Sequence, residues 1–308
     1  MKLLIGYDGS ECADAALDDL LQTGLPADVE ARVVSVAEVW LPPPPYSDAI
    51  TDPTSQVKPE RQYARVSAIA KSAQELAERA RSRVQTNFPE WKVTAHSTCG
   101  SPAWELVAIA DEWKPDLIIV GSQGRTALGR LVLGSISQRV LAEAKCSVRI
   151  SRGRVDEPNS PVRIVAGIDG SPGSEEALRH LAARQWPSRS EVMIVLVDDP
   201  LAPDFLGKLI PPLAETIEEE RREERAWVEK ISQRSIELLH EANIKVSVVV
   251  REGDPKRELC EAAEEWGASC IFVGSQGFSN RLERFVLGSV SAAVAARAHC
   301  SVEVVRKT

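Results

Sequence analysis

Two glycine-broken loops carry the residue types most suited to chemistry. Gly121-Ser122-Gln123-Gly124 is followed, after nine intervening residues, by Gly134-Ser135, with Ser137 two positions on. Gly274-Ser275-Gln276-Gly277 leads in the same way to Gly288-Ser289 and Ser291. Each loop follows an apolar run and precedes a helical pattern. Glycines let backbone approach an anion closely, and free N–H groups at a helix start carry partial positive charge. Loop amides and the serine hydroxyls at 135 and 137 could therefore surround phosphate. Neither the Walker loop nor the Gly-x-Gly-x-x-Gly fingerprint is present. For a single copy, a Gly-Ser N-cap after a loop is the plainer reading. Two copies in matching context favour the phosphate cradle.

Asp8 and Asp169 each end an apolar run and are followed by Gly-Ser. A carboxylate there could accept from a ribose hydroxyl or an adenine amino group, or could simply cap the next helix; the sequence leaves both open. Gln123 and Gln276 could reach phosphate, though surface glutamine is the default. Arg125 could neutralise phosphate charge, whereas its counterpart is Phe278. The charge run Glu218 to Arg225 reads as a solvated helix face, Pro42–Pro45 as a stiff loop, and His299 as structural. No Ser-His-Asp order, clustered carboxylates or positioned lysine suggests an efficient catalytic centre, so no catalytic residue is assigned.

Strands and helices must place these loops. Apolar runs at Lys2–Tyr7, Val29–Val39, Trp91–Thr98, Asp116–Val120 and Cys146–Ile150 predict five strands. Helical patterns lie between them, including a long one through Val66, Ile69, Ala73, Leu76, Ala80 and Val84. The program then restarts: Arg163 to Ser171 repeats Leu3 to Ser10, Gly253-Asp-Pro255 repeats Gly100-Ser-Pro102, and Cys300 repeats Cys146. A helix is expected over 214–242, with Trp227 on its buried face. The fold expected is α/β, with two tandem open, mainly parallel five-stranded sheets flanked by helices. The first domain is placed at 1–151, a linker at 152–161 and the second domain at 162–308. Ligands of such sheets sit at the carboxyl ends of strands, where all these motifs fall.

The bulk properties narrow the class. A net charge of −8 argues against nonspecific binding to nucleic acid or an anionic membrane. No apolar run approaches the ~20 residues that span a bilayer. The start, Met1-Lys-Leu-Leu-Ile-Gly, runs into an Asp-Gly turn, which reads as no secretory leader. The six cysteines lack Cys-x-x-Cys spacing and several lie in apolar runs, as expected of reduced, buried thiols in a cytoplasmic protein.

With Gly-x2-Gly-x9-Gly-Ser at 121, 124, 134 and 135, Asp-Gly-Ser at 8–10 and 169–171, and Ser-x-Ser at 135/137 and 289/291, nearly the whole chain resembles the universal stress protein family in a tandem form. The resemblance implies a five-stranded, Rossmann-like parallel sheet and, for the glycine-signature branch, ATP binding, with a divalent cation such as Mg²⁺ held through the phosphates. It places Asp8 and Asp169 at adenosine, and Val36 and Val197 beside adenine through their backbone. Gly121, Gly124, Gly134 and Ser135, with Gly274, Gly277, Gly288 and Ser289, would surround ribose and phosphates. It further implies pairing through the last strands, so 146–150 and 300–305 would meet as an internal pseudo-dimer; a homodimer of chains is a further option. One departure stands out: ten residues, not nine, separate Gly277 from Gly288. The extra residue either widens the loop or displaces the donors at Gly288-Ser289. The function expected is an ATP-binding stress-response regulator, a nucleotide-dependent switch acting through a protein partner. A slow Mg-dependent ATPase and a nucleotide-free interaction module are the alternatives.

Overall fold

The computed structural model describes residues 1–38, 59–124, 133–152, 160–198, 226, 228–240, 242, 244–276 and 287–307, the side chains of 59–64 excepted. The proline run at 42–45, Arg125, the charge run at 218–225, Trp227, Gly277, Phe278 and most of the expected linker lie outside the described residues. The first half runs β1 (Lys2–Gly6), α1 (Glu11–Asp19), β2 (Glu30–Ala37), α2 (Pro59–Asn87), β3 (Lys92–Cys99), α3 (Pro102–Trp113), β4 (Leu117–Gly121), α4 (Ser135–Glu143) and β5 (Ser147–Ser151). The second repeats it with β6 (Arg163–Gly167), α5 (Pro172–Ala182), β7 (Glu191–Asp198), helical residues 228–240 as α6, β8 (Lys245–Glu252), α7 (Pro255–Trp266), β9 (Cys270–Gly274), α8 (Ser289–Arg297) and β10 (Ser301–Val305).

Periodicity explains these elements. The run Leu117-Ile-Ile-Val120 is buried throughout, as a parallel strand covered on both faces requires. On α2, Ala73, Ala77, Ala80 and Val84 are buried at helical spacing, with Leu76 packed beside them. Within each half every strand pair is parallel. The expected five strands per half are present, but they form one ten-stranded sheet, in the order β3-β2-β1-β4-β5-β10-β9-β6-β7-β8. The join is the antiparallel pairing of β5 with β10, in which Arg149 lies opposite Glu303. One apolar core runs continuously across both halves on one face of the sheet, from Leu4 and Ile118 to Ile271 and Val302. On the other face each half has a core of its own.

All six cysteines are unpaired in disulfides. Burial pushes the thiols of Cys146 and Cys270 up to about 11 and raises that of Cys300 as well, which keeps them protonated and inert at neutral pH. His180, beside the join, is held below its usual 6.5 chiefly by burial, with Glu303 and Glu176 pulling the other way and Arg184 adding to the depression. The unfolded chain therefore takes up this proton first. Its contribution to stability should be complete above pH 6.5 and decline as the pH falls through that value toward the lower folded pKa. Urea unfolding between pH 7.5 and 5.5 should show this loss, and His180→Gln should flatten that part of the profile.

Candidate functional site

Strand order places both glycine loops at the reversal point. In each half the first strand lies between the second and the fourth, so crossovers leave it in opposite directions and open a crevice between β1 and β4, and between β6 and β9. Asp8 follows β1 and Gly121 ends β4; Asp169 follows β6 and Gly274 ends β9. Val36 and Val197, near the carboxyl ends of the neighbouring β2 and β7, are half-buried against the shared core. The residues singled out by the loops and strand ends thus fall at one end of each half-sheet.

The aspartates hold a turn. Asp8 Oδ1 accepts the Ser10 amide at 3.0 Å, while Ser10 Oγ accepts the Ala13 amide at 3.2 Å. In the second half Asp169 Oδ1 accepts both the amide and the hydroxyl of Ser171, at 3.0 and 2.5 Å, and Ser171 Oγ accepts the Ser174 amide. The serine is therefore the N-cap, and the aspartate fixes the serine. Between them Gly9 and Gly170 adopt φ of 78° and 75°, a left-handed turn that other residues rarely take. Asp8 is half-buried and Asp169 is exposed.

The glycines of the loop have separate tasks. A Cβ on Gly121 would stand 2.7 Å from the carbonyl oxygen of Cys12, and one on Gly274 would stand 2.6 Å from that of Gly173. These first glycines let strand end and helix start touch. Around Gly124 the nearest atom to an added Cβ is Asp8 Oδ2 at 3.2 Å, so this glycine sits beside the aspartate of the crevice. Ser122 and Ser275 are buried, Gln123 and Gln276 half-buried, and the Gln276 carbonyl lies 3.2 Å from Ser171 Oγ.

Both excursions return to the same anchor. The Gly134 amide donates to the Ser122 carbonyl at 2.8 Å, and the Gly288 amide to Ser275 at 2.7 Å. The two glycines share φ −65° and ψ of 152° and 150°. The Gly288-Ser289 backbone thus keeps its place despite the extra residue of the second loop. Ser137 and Ser291 are buried, and their hydroxyls donate to the carbonyls of Gly121 and Gly274 at 2.7 and 2.6 Å. They bind helix start to strand end, so the phosphate-donor role foreseen for them competes with an existing bond.

The starts of α4 and α8 differ from the other described helix starts. Neither has a side-chain cap, and neither has an acid in its first turn. By contrast α1, α5 and α7 are capped by Ser10, Ser171 and Asp254 and carry first-turn acids, and α3 carries Glu105. First-turn amides of a helix have no intrahelical acceptor. Leaving them without cap or acid, behind an exposed Ser135 or Ser289, produces a local positive end suited to an anion. Among the described residues no group of three His, Cys, Asp or Glu side chains is placed to hold a metal, so a cation here would depend on ligand oxygens.

Sequence reasoning missed two parts of this site: the capping role of Ser10 and Ser171, and the helix starts at Cys12 and Gly173 against which the loops pack. The first was signalled by serine directly before a helical run with Glu11 in the first turn. The second is a contact between distant segments, for which the sequence carries no local signal.

Known proteins place the chain. The family model described as "Universal stress protein family" matches residues 1–152 and again 162–306. Universal stress protein Rv2005c of Mycobacterium tuberculosis is 29% identical over 318 residues, covering 99% of this chain and 97% of the relative. Universal stress protein YxiE of Bacillus subtilis is 32% identical over 147 residues, which are 47% of this chain and 98% of the relative. The crystal structure of a universal stress protein from Archaeoglobus fulgidus superposes with a TM-score of 0.60 at 20% identity, covering 99% of this chain and 96% of that one, and supports the fold. No helix among the described residues is long and apolar enough to cross a membrane. With a fold, a repeated glycine-loop geometry and family-model matches to both halves in agreement, the chain belongs to the universal stress protein family, as a tandem member.

Proposed function

We propose that each half binds an adenine nucleotide, ATP, in the crevice between its first and fourth strands, and that occupancy is read by a protein partner in a stress response. The observation that carries the reading is the pair of helix starts, α4 and α8, left without capping side chain or first-turn acid directly behind a glycine loop. Phosphates would take the amides of 124 and 135 in the first half and those of 277 and 289 in the second, with the Gly134 and Gly288 amides holding the loop ends to Ser122 and Ser275. Mg²⁺ would be carried in on the phosphates. Asp8 and Asp169 stand at the other side of the crevice, where ribose hydroxyls would meet them. Binding is expected to be tighter in the first half, where the loop carries Arg125 in place of Phe278 and is one residue shorter. The domain limits 1–151 and 162–308, and a cytoplasmic setting, belong to the same reading.

Ser135 gives the test of this electrostatic account. It is exposed at the first turn of α4, so Ser135→Glu should leave the fold intact and even favour the helix. The new carboxylate would stand where phosphate binds. ATP affinity at the first site should fall by on the order of tenfold, about 1.4 kcal/mol. Equilibrium dialysis with ATP checks it, and Ser289→Glu should act in the same way on the second site alone. Unaltered affinity in both variants would remove the helix starts from the site.

A second reading, an interaction module without nucleotide, draws on the internal bonds of Ser137, Ser291 and the two aspartates. Analysis of the purified protein for bound nucleotide separates the two. Recovery of ADP where ATP was supplied would point instead to slow hydrolysis.

A further inference from the structure

The join between β5 and β10 is built partly from equivalent residues and partly from residues that differ in charge. The equivalent part is reciprocal. Arg152, just after β5, donates to the Ala298 and Ala296 carbonyls at the end of α8, and Arg306, just after β10, donates to the Leu141 carbonyl near the end of α4 and the Cys146 carbonyl just before β5. The Arg152 amide bonds Ser301 Oγ, and the Arg306 amide bonds Ser147 Oγ. Each half thus ties down the last helix of the other with the same residues. Any two halves, like or unlike, could make these contacts.

The remaining contacts need unlike halves. Arg149 and Glu303 occupy the same place in the repeat, three residues after Cys146 and Cys300, and they lie opposite each other across the join. Both are fully buried. Arg149 is gripped by Asp19 through Nε and Nη2, at 2.7 and 2.9 Å, and reaches Glu303 at 3.4 Å. Glu303 in turn receives Arg184, whose other nitrogen donates to the Thr23 carbonyl at 2.8 Å. Asp19 also accepts from Ser151 of its own half at 2.6 Å and lies 3.0 Å from Ser301 Oγ of the other. The repeat counterpart of Asp19 is His180, and that of Thr23 is Arg184. Arg149 and Glu303 therefore place opposite signs at equivalent positions on the pseudo-twofold axis, and their partners Asp19 and Arg184 have no like counterpart in the other half.

We propose that this edge is a recognition surface that accepts the unlike half and rejects a second copy of its own. Two first halves would set Arg149 against Arg149 in a buried position, each still held by its own Asp19 but with Glu303 missing. Two second halves would set Glu303 against Glu303, each still holding its own Arg184, with Asp19 replaced by His180, no Arg149 between them and no Thr23 carbonyl for Arg184. Like charges directly opposite in a buried strand pair oppose association, and an ion that loses its partner there keeps the cost of its desolvation. The reciprocal arginines supply attraction, and the unlike pair supplies choice, which is how a repulsive element creates specificity. The partner of each half is the other half of this chain.

The test starts from the full chain with a protease site placed within 153–159. After cleavage, isotopically light and heavy proteins are mixed, unfolded, refolded and weighed by native mass spectrometry. The proposal expects every pair to combine a first half with a second half, labels scrambled, and like pairs to stay below about a tenth; unselective pairing would make about half of them alike. Like pairs near that share overturn the proposal. A second measurement needs no refolding: diluted nicked protein carrying Glu303→Arg should separate at a concentration on the order of a hundredfold higher than nicked wild type, with Glu303→Gln between them. Nicked Glu303→Arg that holds together as tightly as wild type would overturn it equally.

Discussion

Replacing Arg149 by methionine should cost the protein about 3–5 kcal/mol of stability, among the largest effects expected of any single substitution. The guanidinium is fully buried and pairs with two carboxylates, Asp19 at 2.7 Å and Glu303 at 3.4 Å. Methionine fills most of the volume, so the loss is electrostatic: Asp19 keeps only hydroxyl partners in Ser151 and Ser301, while Glu303 retains Arg184. A buried charge that loses its partner costs far more than the pair contributed, because its desolvation is no longer offset. The corollary is that Asp19→Leu together with Arg149→Met, which removes the whole pair, should cost less than Arg149→Met alone. Urea denaturation of the three proteins checks both statements. A loss below about 0.5 kcal/mol for Arg149→Met, the range of an ordinary surface change, would mean that the pair is open to water.

The second large effect separates two glycines three residues apart. Gly124→Val should lower ATP affinity at the first site by on the order of a hundredfold, about 2.7 kcal/mol, and leave stability within about 0.5 kcal/mol. Among the described residues its added carbon meets Asp8 Oδ2, at 3.2 Å, but the branched side chain would occupy the approach to the loop amides. Gly121→Ala should do the reverse. Its Cβ would lie 2.7 Å from the Cys12 carbonyl oxygen and 3.1 Å from the Ala13 nitrogen, so helix and strand must move apart, at about 1–3 kcal/mol. Calorimetric ATP titration and thermal unfolding, run on both variants, should give opposite patterns. If Gly124→Val destabilised the fold and left affinity unchanged, the two roles would be assigned the wrong way round.

The residues also indicate which parts of the molecule were legible in advance. The repeat of Asp-Gly-Ser and of the glycine loop, with apolar runs of strand length between helical patterns, carried the element order and the parallel sheet; those signals are local and recur twice. Pairing of the last strands came from the family resemblance, and the structure has it as β5 against β10. What the resemblance did not supply is the charge in that join. Ser-Val-Arg149-Ile-Ser and Ser-Val-Glu303-Val-Val are apolar strands with one ion at the centre, opposite in sign at equivalent positions, and this was the available signal. Its partners Asp19 and Arg184 sit on other elements and could not be named from spacing. The same limit applies to the first loop glycine, whose reason for being glycine is the backbone of Cys12. It applies also to the longer second loop, where either outcome was open until the shared anchors at Ser122 and Ser275 decided it.

Nucleotide occupancy at both crevices is open to direct measurement by isothermal calorimetry, with ATP titrated into nucleotide-free, folded protein. Binding at two sites per chain is expected, the tighter one weakened about a hundredfold in Gly124→Val and the weaker one about tenfold in Ser289→Glu. Folded protein that takes up no adenine nucleotide would contradict it.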